Sequence, residues 1–511
     1  MKGGITSGFF VTNGYVYSMT GLDPTYPWLT ILLLLPVAGA LLCMAAAHAP
    51  DAARRIALVT TFAVFVISLG LFVGADPAAG RWFFFEDTPW ITRFGIRYTL
   101  GLDGLNLLMI LLTGFLQVVA VLISWPVKRH VPFFFALLLV METGVLGVFL
   151  SLDLVLFYLF WEIMLVPMFL LIFVWGHHNR IAAALKFFLF TLAGSLLMLV
   201  GILALHTIHR DQTGIATFAL DALRTTQLDG ATSMWLFAAF AIAFLIKVPI
   251  VPLHTWLPDA HTEAPTAGSV DLAGLLLKTG AYAMLRFGLY LFPAAAARSL
   301  QLLAVLALVG LFHAAWAAYV QTDIKRLIAY SSVAHLGLVV LGFAAWDAVA
   351  LQGSLLLMLA HGITTGGLFA LVAMLEARTG TRQLEVLGGL WRCAPKLSAF
   401  FLLFALSSLG LPGLANFSGE FLILLGAFRT QPIWGVLAMC GVVFAAAYML
   451  RMLRGVLWGP SGQAVYCHDL TGREYAILLP MTVLLLWIGL HPQTFLVPLQ
   501  PAVALLLGGA P

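Results

Sequence analysis

FLIKVPIVPLHTWLPDAH, residues 244–261, sets Lys247 inside an apolar run and follows it with Pro249, Pro252 and Pro258. Each proline removes a backbone donor and disfavours a straight helix, so the stretch predicts a helix that carries a cation and then breaks. A second stretch, LGLPGLANFSGEF at 409–421, repeats the arrangement with Gly410, Pro412, Gly413 and Gly419 around Glu420. Non-helical backbone at membrane depth is tolerated only where it is buried in protein or lines a wet cavity. Paired interruptions in corresponding halves point to inverted repeats with an ion path between them.

The rest of the chain supplies the membrane. Of 511 residues 62% are apolar and 9% charged, against about a quarter charged in a soluble domain, so the composition all but excludes a water-soluble protein. A net charge of +4 suggests no nucleic-acid partner, because the basic residues are scattered between apolar runs instead of clustered on one face. Taking about 20 apolar residues per crossing, the chain reads as an all-α polytopic membrane protein of about fourteen spans. Their expected extents are 28–47, 57–74, 103–125, 131–151, 153–175, 182–207, 233–257, 266–289, 299–320, 325–345, 349–376, 396–428, 433–458 and 475–490. The expected units are an N-terminal extension at 1–27 without a cleavable export signal, and spans one to three within 28–130, including an external excursion at 75–102. A first inverted repeat at 131–289, a second at 299–458, and a last helix with its tail at 475–511 complete them. Within the excursion, RWFFFEDTPWITRFGIRYTL (81–100) alternates aromatic and polar residues as strands do. Loops after odd-numbered spans are the richer in Lys and Arg, with Arg54, Arg55, Lys128, Arg129, Lys325 and Arg326 among them. By the positive-inside rule those loops are cytoplasmic and both termini lie on the far, periplasmic side.

A charge at the bilayer centre costs about 2.5–3.5 kcal/mol on insertion scales. Glu142, Glu162, Lys247, Lys278 and Glu420 all fall well inside expected spans, and Lys186 opens the sixth. His254, His261, His313, His335 and His361 add groups that titrate near neutral pH. Ion pairs that merely hold helices together are the bland alternative, and snorkelling toward the interface suits Lys186. For His313 the simpler reading is hydrogen-bonding glue between helices. Yet replacing a buried pair by apolar residues is often neutral or stabilising, so stability alone is a poor reason to keep six charges in lipid.

Separating a buried carboxylate from an ammonium shifts the proton affinity of both, which makes such a pair a proton switch. Glu162 paired with Lys186 or Lys247 in one state would release a proton onward through Lys278 and the histidines, with Glu420 as the exit group. Driving one proton against the field costs about 2.3 kcal/mol per 100 mV. The chain has no GxxxxGK[ST] loop and no strand-borne GxGxxG, so neither ATP nor nicotinamide binding is supported. Its four cysteines, Cys43, Cys393, Cys440 and Cys467, form no CxxC pair for a cluster or zinc ribbon. Redox cofactors are therefore expected on partner chains.

These residues carry a resemblance. FWEIMLVPMFLLI (160–172), AAALKFFLFT (182–191), IKVPIVPLHTWLPDAHTEAPTAGSVDLAGLLLKTGAYAMLRF (246–287), DIKRLIAYSSVAHLGLV (323–339), MLAHGITTGGLFAL (358–371) and LPGLANFSGEFLIL (411–424) closely resemble the antiporter-like subunits of respiratory complex I, NADH:quinone oxidoreductase. Within that family the M-type subunits are nearest. The resemblance implies fourteen helices with two inverted five-helix repeats, broken seventh and twelfth helices, and a proton-pumping polar axis shared with neighbouring subunits. It implies Glu162, Lys247, Lys278 and Glu420 as pump residues, with Lys186, His335 and His361 along the axis; Glu142 and His254, from the reading of the buried titratable groups, are expected as supporting groups. It further implies a bacterial inner membrane, partners of the L and N types, and flavin, iron–sulfur clusters and quinone on other subunits. The sister L and N types carry Lys where Glu420 stands, and the L type has a long lateral helix after its last span, which leaves the M type as the expectation.

Two other readings compete. A homologous subunit of a cation/proton antiporter or membrane-bound hydrogenase complex would share the fold without any link to NADH. An independent secondary transporter would need a midplane pocket shaped to a solute, whereas the midplane groups here are almost all titratable.

Overall fold

Helix α1 (Trp28–Ala45) starts where a carboxylate from a distant strand caps it. In this computed structural model Glu86 accepts from the backbone N–H groups of Leu29 (2.7 Å) and Thr30 (3.1 Å) and from the Thr30 hydroxyl, occupying donors that the first helical turn leaves free. Glu86 lies in an antiparallel hairpin of strands Phe84–Ile91 and Ile96–Leu102, inside the stretch whose alternation suggests strands. The structure describes residues 26–76, 81–458 and 468–508, with the backbone of a short strand pair at 11–12 and 15–16. The extension expected over 1–27 therefore lies almost wholly outside the described residues.

After α1 come α2 (Pro50–Gly74), α3 (Leu107–Ile123), α4 (Val131–Leu150), α5 (Leu154–Ile163), α6 (Leu165–Trp175) and α7 (Arg180–Thr213). The short α8 (Leu220–Arg224) leads to α9 (Gly230–Lys247), α10 (Trp256–Glu263), α11 (Thr266–Asp271) and α12 (Leu277–Ala283). Then follow α13 (Pro293–Val320), α14 (Ile324–Ala345), α15 (Ala348–Thr379), the short α16 (Leu390–Cys393), α17 (Pro395–Ser408), α18 (Ala415–Thr430), α19 (Pro432–Leu453) and α20 (Gly472–Leu490). Asp153, Asp229, Asp323 and Asp347 each accept from backbone N–H groups of the following turn and so fix the starts of α5, α9, α14 and α15.

Among the described residues eleven helical spans are long and apolar enough to cross a membrane. The remaining expected spans take other forms: 103–125 is a helix of 17 residues, 266–289 is helical with two π-helical turns, and 396–428 is two helices parted by 409–414. The break after Lys247 runs over 248–255 before α10, and the Trp256 indole closes it by donating to the Ile246 carbonyl at 2.9 Å. A further interruption, at Met164 between α5 and α6, was not expected. Pro167 explains it, because its missing N–H and its ring disrupt the turn that ends near residue 163.

Burial sorts the helices into centre and rim. The buried share of the span is 89% for α4, 94% for α14 and 100% for α15, against 33% for α2, α19 and α20. The rim helices turn large apolar groups outward, Val59 at 68% and Leu490 at 72% exposed, a surface that only lipid or an apolar partner covers without cost. The charges collect at the centre.

Candidate proton-transfer site

Four buried titratable groups on four different helices form one line. Lys278 sits at the second position of α12, just after the π-helical turn Leu272–Leu276. Such wide turns recur at functional sites, and here one sets the Ala273 carbonyl, five residues back, where the Lys278 ammonium donates to it. The same nitrogen lies 2.8 Å from Nδ1 of His361 on α15. The His361 ring is 5.2 Å, centroid to centroid, from that of His335 on α14. His335 Nε2 in turn stands 3.4 Å from Oε1 of Glu420 on α18.

The broken helix makes the far end of this line. Nδ1 of His335 faces the Ser331 carbonyl at 2.7 Å and Nε2 faces the Ser408 carbonyl at 2.9 Å. Ser408 ends α17, where the last carbonyls of a helix lack intrahelical partners. Two oxygen acceptors are satisfied in full only by a ring with both N–H groups, and the Glu420 carboxyl stands beside it. Gly410 has φ +80° and lies against Glu420 Oε2, so a side chain there would both strain the backbone and displace the carboxylate.

Glu162 and Lys247 lie near each other, short of ion-pair contact. Lys247 is 1% exposed, and its ammonium lies 5.1 Å from the centre of the Trp161 ring and 5.9 Å from that of Phe187, with the charge of Glu162 acting on it. Aromatic faces attract the cation without removing its proton. Among the described residues neither Lys247 Nζ nor Glu162 Oε1 has a hydrogen-bond partner. Gly280, two residues past Lys278, abuts Lys247 Cβ and lets α9 and α12 come together.

The other expected groups fall elsewhere. Lys186 does not pair with Glu162: it binds Asp259 at 2.7 Å, and Arg326 holds the other oxygen of Asp259 at 2.9 Å. This half-exposed triad lines a cavity of about 280 Å³. His254 is away from the line, with its ring 5.0 Å from His313. Glu142 is fully buried and faces Asp271, which the sequence reading did not single out. His261 is also fully buried, stacked on Phe369 at 4.6 Å, with Lys278 and Lys325 as charged neighbours. Asp271 and Asp259 each carried a signal, a carboxylate within or beside an apolar run. Among the described residues no group of three or more His, Cys, Asp or Glu is placed to hold a metal ion.

A buried line of acids, amines and imidazoles across interrupted helices is the mark of an ion-translocating membrane subunit. Residues 151–445 match the family described as NADH:quinone oxidoreductase/Mrp antiporter, transmembrane. The chain belongs to this family of antiporter-like, mostly helical membrane proteins, and within it stands with the subunit M proteins. A Pseudomonas aeruginosa protein named NADH-quinone oxidoreductase subunit M is 46% identical over 485 residues, which is 92% of this chain and 95% of that one. A chain of respiratory complex I from Thermus thermophilus superposes with a TM-score of 0.85 at 35% identity, over 94% of this chain and all of that one. A chain of the Mrp complex from Dietzia sp. superposes with a TM-score of 0.82 over 94% of this chain and 98% of that one, but at 22% identity it speaks for the fold alone.

Proposed function

We propose that this chain is a proton-translocating, non-redox membrane-arm subunit of an NADH:quinone oxidoreductase. The observation that carries the reading is the run Lys278–His361–His335–Glu420, each member buried and each within reach of the next. Lys278 as an ammonium donates to His361 Nδ1. Passing that proton leaves a neutral amine and an imidazolium. His335, cradled by two carbonyls, first gives up its Nε2 proton to Glu420, the last acceptor, and the ring nitrogen so freed then takes the proton from His361. Glu162 and Lys247 load the line: while the Glu162 charge is near, Lys247 keeps its proton, and withdrawal of that charge frees it toward Lys278 across the α9–α12 contact. Lys186, with Asp259 and Arg326, and His254, with His313, are supporting groups off this line.

Several finer features belong to the same reading. Residues 131–289 and 299–458 act as inverted repeats, which the breaks at 248–255 and 409–414 support by their matching places in the helix order. The chain sits in a bacterial inner membrane with both termini on the periplasmic side, flanked by subunits of the L and N types. Flavin, iron–sulfur clusters and quinone belong to partners, which supply the drive. The 46% and 35% identities to proteins named for NADH oxidation favour this over a cation/proton antiporter or hydrogenase subunit.

The test uses the assembled complex in proteoliposomes. Glu162→Gln and Lys247→Ala should each abolish proton translocation while the complex still assembles. Translocation at the wild-type proton-to-electron ratio would remove both residues from the path.

A further inference from the structure

Glu142 and Asp271 are both 0% exposed, and among the described residues none of their four carboxyl oxygens has a hydrogen-bond partner. Asp271, at the end of α11, is the charged group facing Glu142, in the middle of α4. The polar neighbour of Asp271 is Gln117 on α3, itself 0% exposed, with neither its amide nitrogen nor its oxygen in hydrogen-bonding geometry to any described residue. Three buried polar side chains from three helices thus lie near one another with no cation among the charges acting on the two acids, and none has a hydrogen-bond partner among the described residues. Two carboxylates without a counter-ion in a low-dielectric interior do not both ionise, because each raises the cost of charging the other. The pair therefore holds a proton.

Its position says what that proton is for. A surface cavity of about 420 Å³ opens where α3, α4 and α11 end, bordered by Ser124, His177, Pro265, Thr266, Glu376 and Glu474. At 1.5 Å per residue, Asp271 lies about 7 Å inward from Thr266 and Lys278 about 10 Å further along the same helical run. The carboxyl pair stands between the open cavity and the amine. We propose that Glu142 and Asp271, beside Gln117, share one proton and form a second proton-loading site, in addition to that at Lys247, that takes protons from this cavity and delivers them to Lys278. In the delivery step one carboxyl O–H bond breaks and an N–H bond forms on neutral Lys278 while a proton from the cavity side forms a new carboxyl O–H bond, so the pair keeps one proton and Lys278 becomes an ammonium.

The site rests on the proton-transfer reading, and the experiment separates the two. Proton translocation and NADH-driven electron transfer are measured on the assembled complex in proteoliposomes with Asp271→Asn, Glu142→Gln, the double variant and, as reference, Lys278→Met. Each single amide variant should slow translocation by roughly tenfold or more, the scale of losing a positioned acid–base group. The double variant should lose no more than either single one, because the two residues act as one site; a packing role would give additive losses. The amides conserve volume, and if one variant does not assemble the other decides. Wild-type translocation in Asp271→Asn or Glu142→Gln, or additive losses in the double variant, with Lys278→Met inactive, would overturn the loading site and leave the main path standing. Wild-type translocation in Lys278→Met would overturn the path and the loading site with it.

Discussion

Lys278 Nζ and His361 Nδ1 stand 2.8 Å apart although 83 residues separate them in the chain, and both side chains are closed off from solvent. The amine donates and the imidazole accepts, which leaves His361 Nε2 as the nitrogen free of a described partner. Replacing His361 by Phe keeps the ring and removes the acceptor, so Lys278 retains only the Ala273 carbonyl. The cost to stability should be about 1–3 kcal/mol, with proton translocation lost and the complex still formed. Measuring the proton-to-electron ratio of His361→Phe in proteoliposomes checks this.

Glu420 meets His335 at 3.4 Å, and any titratable group at that place keeps the terminus of the line able to take a proton. Glu420→Lys should therefore retain more translocation than Glu420→Ala. Equal losses in the two variants, or an inert Glu420→Ala, would take Glu420 out of the path.

Gly410 should tolerate no side chain. Its φ of +80° strains any L residue, and an added Cβ would collide with Glu420 Oε2. Gly410→Ala is expected to cost ~1 kcal/mol or more, seen as a lower thermal midpoint of the purified complex. It should also slow translocation by moving the carboxylate, an effect absent from Gly380→Ala, whose surroundings are open.

His177, in the loop between α6 and α7, has its pKa lowered to about 4 by burial first and then by the positive charges of Lys325 and Arg382. In the unfolded chain the ring takes a proton near the ordinary value of about 6.5. Between those two values the unfolded state binds more protons, so stability is full above about 6.5 and falls as pH drops toward 4. Thermal unfolding at pH 7.5 and pH 5 should show a smaller loss for His177→Gln than for the unaltered chain; equal losses would mean that another group governs the acid limb.

Much of this was legible in the residues themselves. Prolines and glycines around Lys247 and Glu420 announce the two breaks, and charges in apolar runs announce Glu142, Glu162 and Lys278. Partnership was less legible, because Lys186 and Asp259 are 73 residues apart and nothing local says that the lysine turns to Asp259 and not to Glu162. The π-helical turn before Lys278 has no signal of its own, since α and π turns take the same residues. Pro167 did carry one, and it accounts for the interruption at Met164. Asp271 is an acid in an apolar helix like Glu142, hidden only by lying in a stretch dominated by its lysines.

Proton translocation by the assembled complex carrying Lys278→Met, scored against its NADH oxidation in sealed proteoliposomes, probes the buried relay most directly. Met keeps much of the aliphatic bulk and removes the ammonium that His361 accepts from, so translocation through this subunit should cease while assembly persists. An unchanged proton-to-electron ratio would mean that protons cross the membrane without using this line.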